Sequence, residues 1–189
     1  MERNPHYFWA VGLPLEIKQS ISEAFNDLKS LFPFKRWVHK EDYHITLAFL
    51  GSAETSKRNA TIDRIQESLE TVNSFPLQIQ GIDIFGNKKS PRVFWAAVNQ
   101  EDRLHGLQQN VYQQCLQAGF KLETRSYHPH ITLARNWIGP DFSHELLQKY
   151  NPFRDQSLSF IVKEVVLYQT HLEKTPKYEP IATFSLLGE

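Results

Sequence analysis

Two identical pentapeptides constrain this chain more than anything else in it. His44-Ile-Thr-Leu-Ala48 recurs, letter for letter, as His130-Ile-Thr-Leu-Ala134. Each copy is β-branched and apolar, so each is predicted to be a strand. Side chains alternate between the two faces of a strand, so His44 shares a face with Thr46, and His130 with Thr132. Ile45, Leu47, Ile131 and Leu133 then point into a core. Ala48 and Ala134 would continue the polar face with little side chain, leaving room for a ligand. The same spacing aligns Phe8-Trp9-Ala10 with Phe94-Trp95-Ala96, and the helical positions Ile17, Ile21, Phe25 and Leu28 with Leu107, Val111 and Leu116. The repeat is therefore strand, helix and His-x-Thr strand, twice. Two copies make no solenoid. The expected arrangement is two similar lobes whose His-Thr strands line a shared cleft.

The rest of the chain fills in that plan. Apolar residues at three-to-four spacing predict helices over 15–31, 54–72 and 102–118, with a shorter one over 141–150. Strands are predicted over 6–13, 75–85, 92–98, 158–170 and 178–187, and Trp37-Val38 is a short extended piece. Gly86 to Pro91 is a turn-rich basic loop. Strands and helices alternate only in part, and several strand pairs resemble hairpins. The fold class is α+β: a bilobal, duplicated fold with two mostly antiparallel sheets facing across a central cleft and helices outside, all within one domain over 1–189.

Composition narrows the setting. Hydrophobic residues make up 41% and charged residues 22%, ordinary for a soluble globular protein. The formal net charge is zero, so no overall field attracts duplex nucleic acid, although a local basic cleft could take a small RNA end. The single Cys115 has no intramolecular partner, and nothing calls for an oxidising compartment. The apolar run from Tyr7 to Leu13 is too short for a signal sequence, and no run approaches a membrane span. A cytoplasmic, monomeric protein without a membrane partner is expected.

Two histidines in one cleft form an acid–base pair, because the ordinary pKa of imidazole lies close to neutrality. One can take a proton from an attacking water while the other gives one to a leaving oxygen. The Thr46 and Thr132 hydroxyls can donate to non-bridging phosphoryl oxygens, where charge gathers during displacement. A metal site would need His128, His130 and His44 together. Pro129 interrupts that set and His128 has no counterpart in the duplication, so neither a metal nor another cofactor is expected. Arg135, Arg92 and Lys88 or Lys89 are candidate phosphate contacts. Arg135 stands an odd number of residues after His130, so it reaches the cleft only if the strand ends or bulges there. Trp37, Tyr43 and Trp137 are candidates to stack on a base at the rim.

Paired His-x-Thr motifs on a duplicated α+β scaffold resemble the 2H phosphoesterase superfamily. His44-Ile-Thr-Leu-Ala-Phe-Leu-Gly51 together with Pro129-His-Ile-Thr-Leu-Ala-Arg135 is similar to its bacterial and archaeal RNA 2′,3′-cyclic phosphodiesterases, once named 2′-5′ RNA ligases. The likeness runs from Phe8 through Arg135. It implies a bilobal fold and metal-independent opening of a 2′,3′-cyclic phosphate to a 2′-phosphate. His44 would protonate the leaving 3′ oxygen, His130 would activate water, and Thr46, Thr132 and Arg135 would hold the phosphate. Other activities on the same scaffold remain open: a phosphodiesterase for 2′-5′-linked oligonucleotides, an RNA ligase, or a non-catalytic module that binds RNA ends.

Overall fold

The computed structural model describes residues 5–188. In chain order the elements are β1 (His6–Gly12), α1 (Leu15–Asn26), β2 (Phe34–Trp37), a 3-10 turn (Lys40–Asp42), β3 (His44–Ser52), α2 (Thr55–Leu69), β4 (Phe75–Asn87), β5 (Ser90–Val98), α3 (Asp102–Gln117), β6 (His130–Trp137), α4 (His144–Lys149), β7 (Leu158–Val162), β8 (Glu164–Thr170) and β9 (Tyr178–Ser185). The class is α+β, as expected. Every strand pairing within the sheet is antiparallel.

The two sheets expected from the repeat are halves of one nine-stranded sheet, ordered β7-β4-β5-β6-β3-β1-β8-β9, with β2 also paired to β6. The two motif strands sit at its centre and touch through a single pair, Ile45 opposite Ile131. Beyond that pair β2 takes the edge of β6, with Phe34, Arg36 and Trp37 opposite Trp137, Arg135 and Ala134. β2 therefore continues the edge of β6 where β3 no longer pairs with it. At the far ends the sheet returns on itself. β7 belongs to one half and β8 to the other, yet only Lys163 separates them. The predicted single strand over 158–170 is thus two strands at opposite ends of the sheet.

The core explains most of the element boundaries. β1 is buried along Tyr7 to Gly12, as a strand covered on both faces must be. α1 buries Ile17, Ile21 and Phe25 at four-residue steps, one stripe of an amphipathic helix. It stops at Asn26 rather than at Leu31. The chain turns there so that Phe32, fully buried, can stack on Phe94 with ring centroids 5.1 Å apart. α3 buries Leu104, Leu107, Gln108, Val111 and Cys115, and the apolar surroundings push the Cys115 thiol up to about 12. α4 begins only at His144, where the Ser143 hydroxyl accepts from the Glu145 N–H and caps the first turn.

Candidate active site

Both motif strands carry a bulge at the same motif position. Along β1 and β3 the register runs Gly12–His44, Ala10–Thr46, Trp9–Ala48 and Phe8–Phe49, so Leu47 has no partner. Along β5 and β6 it runs Ala97–His130, Trp95–Thr132, Phe94–Ala134 and Val93–Arg135, and Leu133 is the unpaired residue. Residues directly opposite share a face, and a bulge resets the alternation by one residue. Val93, Trp95 and Ala97 lie on one face of β5, so His130, Thr132 and Arg135 all lie on one face of β6. The bulge is what brings Arg135 to the histidine side. It also turns Ala48 and Ala134 towards the buried Trp9 and Phe94; Ala48 still borders the cavity described below, whereas Ala134 does not. The internal alignment needs a correction of one residue too. By register Phe8-Trp9-Ala10 matches Val93-Phe94-Trp95, so Trp9 is a core residue whereas Trp95 belongs to the histidine face.

Each histidine is oriented by a backbone carbonyl two residues upstream. His44 Nδ1–H donates to the Asp42 carbonyl at 2.7 Å, and His130 Nδ1–H donates to the His128 carbonyl at 2.7 Å. A carbonyl can only accept, so the proton of each neutral ring is held on Nδ1 and Nε2 is left as the reactive nitrogen. His44 Nε2 lies 3.1 Å from the Thr46 hydroxyl. Aromatic rings fix both imidazoles. His44 packs against Phe8, Tyr168 and Tyr178 at 4.7, 6.0 and 5.2 Å. His130 packs against Phe85 and Trp95 at 5.0 and 5.9 Å.

Asp42 ties this arrangement to the C-terminal hairpin. Its carboxylate is buried and accepts the Lys177 and Tyr178 backbone N–H groups, each at 3.0 Å. One residue therefore orients His44 through its carbonyl and docks the loop that carries the Tyr178 ring onto His44. Asp42 carries no mark in the repeat, because its counterpart there is His128. Buried carboxylates mark structural or functional junctions, but burial is not visible in the sequence.

Burial dominates the electrostatics. His44 is pushed down from 6.5 to about 4, first by desolvation, against the Asp42 carbonyl, which favours the charged ring, and with the charges of His130, Lys18 and Arg135 adding to the depression. His130 is also lowered, by desolvation first and then by His128 and Arg135, again against its backbone hydrogen bond. The Arg135 charge acts on His44, His130 and Tyr178 alike, which locates it among the two imidazoles. Charging one imidazole opposes charging the other, so a single proton on the pair is favoured over two.

A cavity of about 640 Å³ has Thr46, His128, His130, Phe85, Arg92 and Tyr127 in its wall, whereas His44, Thr132 and Arg135 are not among its lining residues. The Tyr127 hydroxyl and the Trp95 indole N–H are buried without hydrogen-bond partners; Tyr127 borders the cavity and Trp95 does not. Of the basic candidates, Arg92 lines the cavity, while Lys89 is held by Asp141 at 2.8 Å. The base-stacking candidates are displaced. Tyr43 is buried, and desolvation pushes its phenol up to about 12. Trp37 packs on Phe25, Phe34 and Phe94. Trp137 is buried against Phe34 and Phe142, turned inward after Asn136, which takes a φ of 60°. These rings serve the core because β2 pairs β6 with Trp37 opposite the core-facing Ala134. The rings that face the site are Phe85, Trp95, Tyr127 and Tyr178, none of them distinguishable by sequence from core aromatics. Among the described residues no three His, Cys, Asp or Glu side chains are grouped so as to hold a metal ion.

Known proteins match this chain over most of its length. The family model for the 2′-5′ RNA ligase superfamily matches residues 17–174. The RNA 2′,3′-cyclic phosphodiesterase of Geobacillus stearothermophilus is 44% identical over 187 residues, which are 98% of this chain and 59% of that protein. The chain thus spans less than two thirds of that relative. The RNA 2′,3′-cyclic phosphodiesterase of Bacillus subtilis is 37% identical over 182 residues, covering 96% of this chain and 97% of its own. The crystal structure of E. coli LigT complexed with 3′-AMP superposes with a TM-score of 0.74 at 25% identity, covering 97% of this chain and 99% of that one.

Proposed function

The chain belongs to the 2′-5′ RNA ligase superfamily, and on that premise we propose that it opens the 2′,3′-cyclic phosphate at an RNA end to a 2′-phosphate, without a metal, using His44 and His130 as acid and base. The observation that carries the proposal is the matched pair of carbonyl-held imidazoles, each with Nδ1–H fixed on the backbone. Two such rings, one protonated and one neutral, can supply both the acid and the base of an in-line displacement at phosphorus. In the free protein both rings are held neutral by burial. An entering phosphate brings negative charge, which favours protonation of an imidazole, while mutual repulsion keeps the second ring neutral. The pocket thus acquires its acid when the substrate arrives.

The assignment of roles follows the family resemblance. His44 protonates the leaving 3′ oxygen, and His130 takes the proton of the attacking water. The Thr46 and Thr132 hydroxyls and the Arg135 guanidinium hold the non-bridging oxygens, where donors aimed at developing charge lower the barrier most. Arg92, in the cavity wall, serves the nucleoside side of the substrate. The same proposal treats the chain as one domain of two pseudo-symmetric lobes, each supplying a His-x-Thr strand. The recurrence of the bulge at Leu47 and Leu133 supports that view.

The test uses chelator-treated protein and a short RNA ending in a 2′,3′-cyclic phosphate. Conversion to a 2′-phosphate at an undiminished rate is the expected outcome. Activity that disappears on chelation and returns with a divalent ion would sink the metal-independent mechanism. A 3′-phosphate product would reverse the choice of leaving oxygen.

A further inference from the structure

Arg36 and Arg135 stand directly opposite each other where β2 pairs β6. Opposed residues share a face, so Arg36 projects from the face that carries Arg135, His130 and Thr132. Its neighbour Trp37, opposite Ala134, takes the core side. Both arginines are exposed, and neither forms an ion pair with a carboxylate among the described residues. Other basic side chains have acidic partners: Lys89 with Asp141, Arg103 with Glu101, and Arg125 with Glu123. Two like charges facing each other across a ladder destabilise it. No described carboxylate pairs with either guanidinium, and an anion seated against both would offset that repulsion.

We propose that Arg36 is a second phosphate site, holding the phosphodiester one nucleotide upstream of the reacting phosphate that Arg135 engages. The inference rests on the activity proposed above and adds to it a contact beyond the terminal nucleotide, made by Arg36. Cα atoms of opposed antiparallel residues lie about 5 Å apart, and the long arginine stems widen that span to the phosphates of consecutive nucleotides. A guanidinium suits this role because its planar donors match phosphate oxygens in pairs. β2 supplies the residue, beside the end of β6 that carries Arg135.

The experiment compares kcat/KM for a mononucleoside 2′,3′-cyclic phosphate and for a dinucleotide with the same end, over a salt series, in wild type, Arg36→Gln and Arg36→Lys. Wild type is expected to favour the dinucleotide. Arg36→Gln should reduce the dinucleotide-to-mononucleotide ratio about fivefold, as loss of one exposed charge contact implies. The salt slope for the dinucleotide should fall by about 0.7, the value for one phosphate contact on a single strand. Arg36→Lys should keep most of that slope. A ratio and slope equal in wild type and Arg36→Gln would overturn the assignment. If wild type turns over neither substrate, the proposed activity fails on its own account. Binding of a dinucleotide 2′-phosphate then decides on Arg36: a weaker Kd in Arg36→Gln supports the site, and an equal Kd rejects it.

Discussion

The burial of His44 has a consequence for stability that can be measured without any substrate. Folding lowers its pKa from 6.5 to about 4. The unfolded chain therefore binds a proton at His44 as pH falls through about 6.5, whereas the folded protein resists until about pH 4. Between those values the unfolded state holds more protons, and stability declines as pH falls. Above about pH 6.5 the penalty is absent. At about 1.4 kcal/mol per pH unit the full difference amounts to about 3 kcal/mol. That is a large share of the 5–15 kcal/mol, roughly, that holds a domain folded. His130 contributes in the same direction. The assay is urea unfolding at a series of pH values from 7.5 to about 4, comparing wild type with His44→Gln, in which the imidazole is replaced by a group that does not titrate. The wild-type curve should fall more steeply than the variant's across this window, with the two differing by about 3 kcal/mol in total change. Parallel curves would refute the claim that the fold holds His44 neutral. Bound phosphate should also soften the wild-type decline, since an anion favours the protonated ring.

Two further substitutions probe the machinery around the histidines. Asp42→Asn keeps the carbonyl that orients His44 but weakens the acceptor for the Lys177 and Tyr178 N–H groups. Hydrogen bonds to a charged group contribute about 1.5–3 kcal/mol, so unfolding should show a loss of about 2 kcal/mol together with a lower kcat. Wild-type stability and kcat in that variant would remove Asp42 from the account. Thr46→Val and Thr132→Val preserve β-branched strand geometry and delete one donor each. Each should lower kcat about 100-fold, by the cost of losing a donor to developing charge, with a much smaller change in KM; an unchanged kcat would leave the hydroxyls without a catalytic part.

Much of the site was legible in the letters because the chain repeats itself. His44, Thr46, His130 and Thr132 fall on strand faces as period-two alternation requires, and Thr46 and His130 border the cavity. The alternation misled only where bulges intervene. It put Ala48 and Ala134 on the polar side and left Arg135 undecided, because an unpaired Leu47 or Leu133 depends on cross-strand register and leaves no local mark. The same one-residue ambiguity paired Trp95 with Trp9, although one faces the site and the other the core. An aromatic residue beside a motif reads alike whether it meets a ligand or a core: the pairing of β2 with β6 decides for Trp37, and burial alone decides for Tyr43. Asp42 and Arg36 escaped notice because their significance lies in partners distant in sequence, the Lys177–Tyr178 backbone in one case and Arg135 in the other. The strand break at Lys163 had no signal either, since β7 and β8 form one continuous run of extended chain that changes partners.

The most direct test of the central claim is single-turnover conversion of a short RNA bearing a 2′,3′-cyclic phosphate by wild type, His44→Ala and His130→Ala, with folding of each variant checked by thermal melting. Two imidazoles acting in one displacement predict that either substitution alone lowers the rate by about 100-fold to 10,000-fold while the folded structure is retained. A folded single variant that converts the substrate at the wild-type rate would contradict the paired acid–base mechanism.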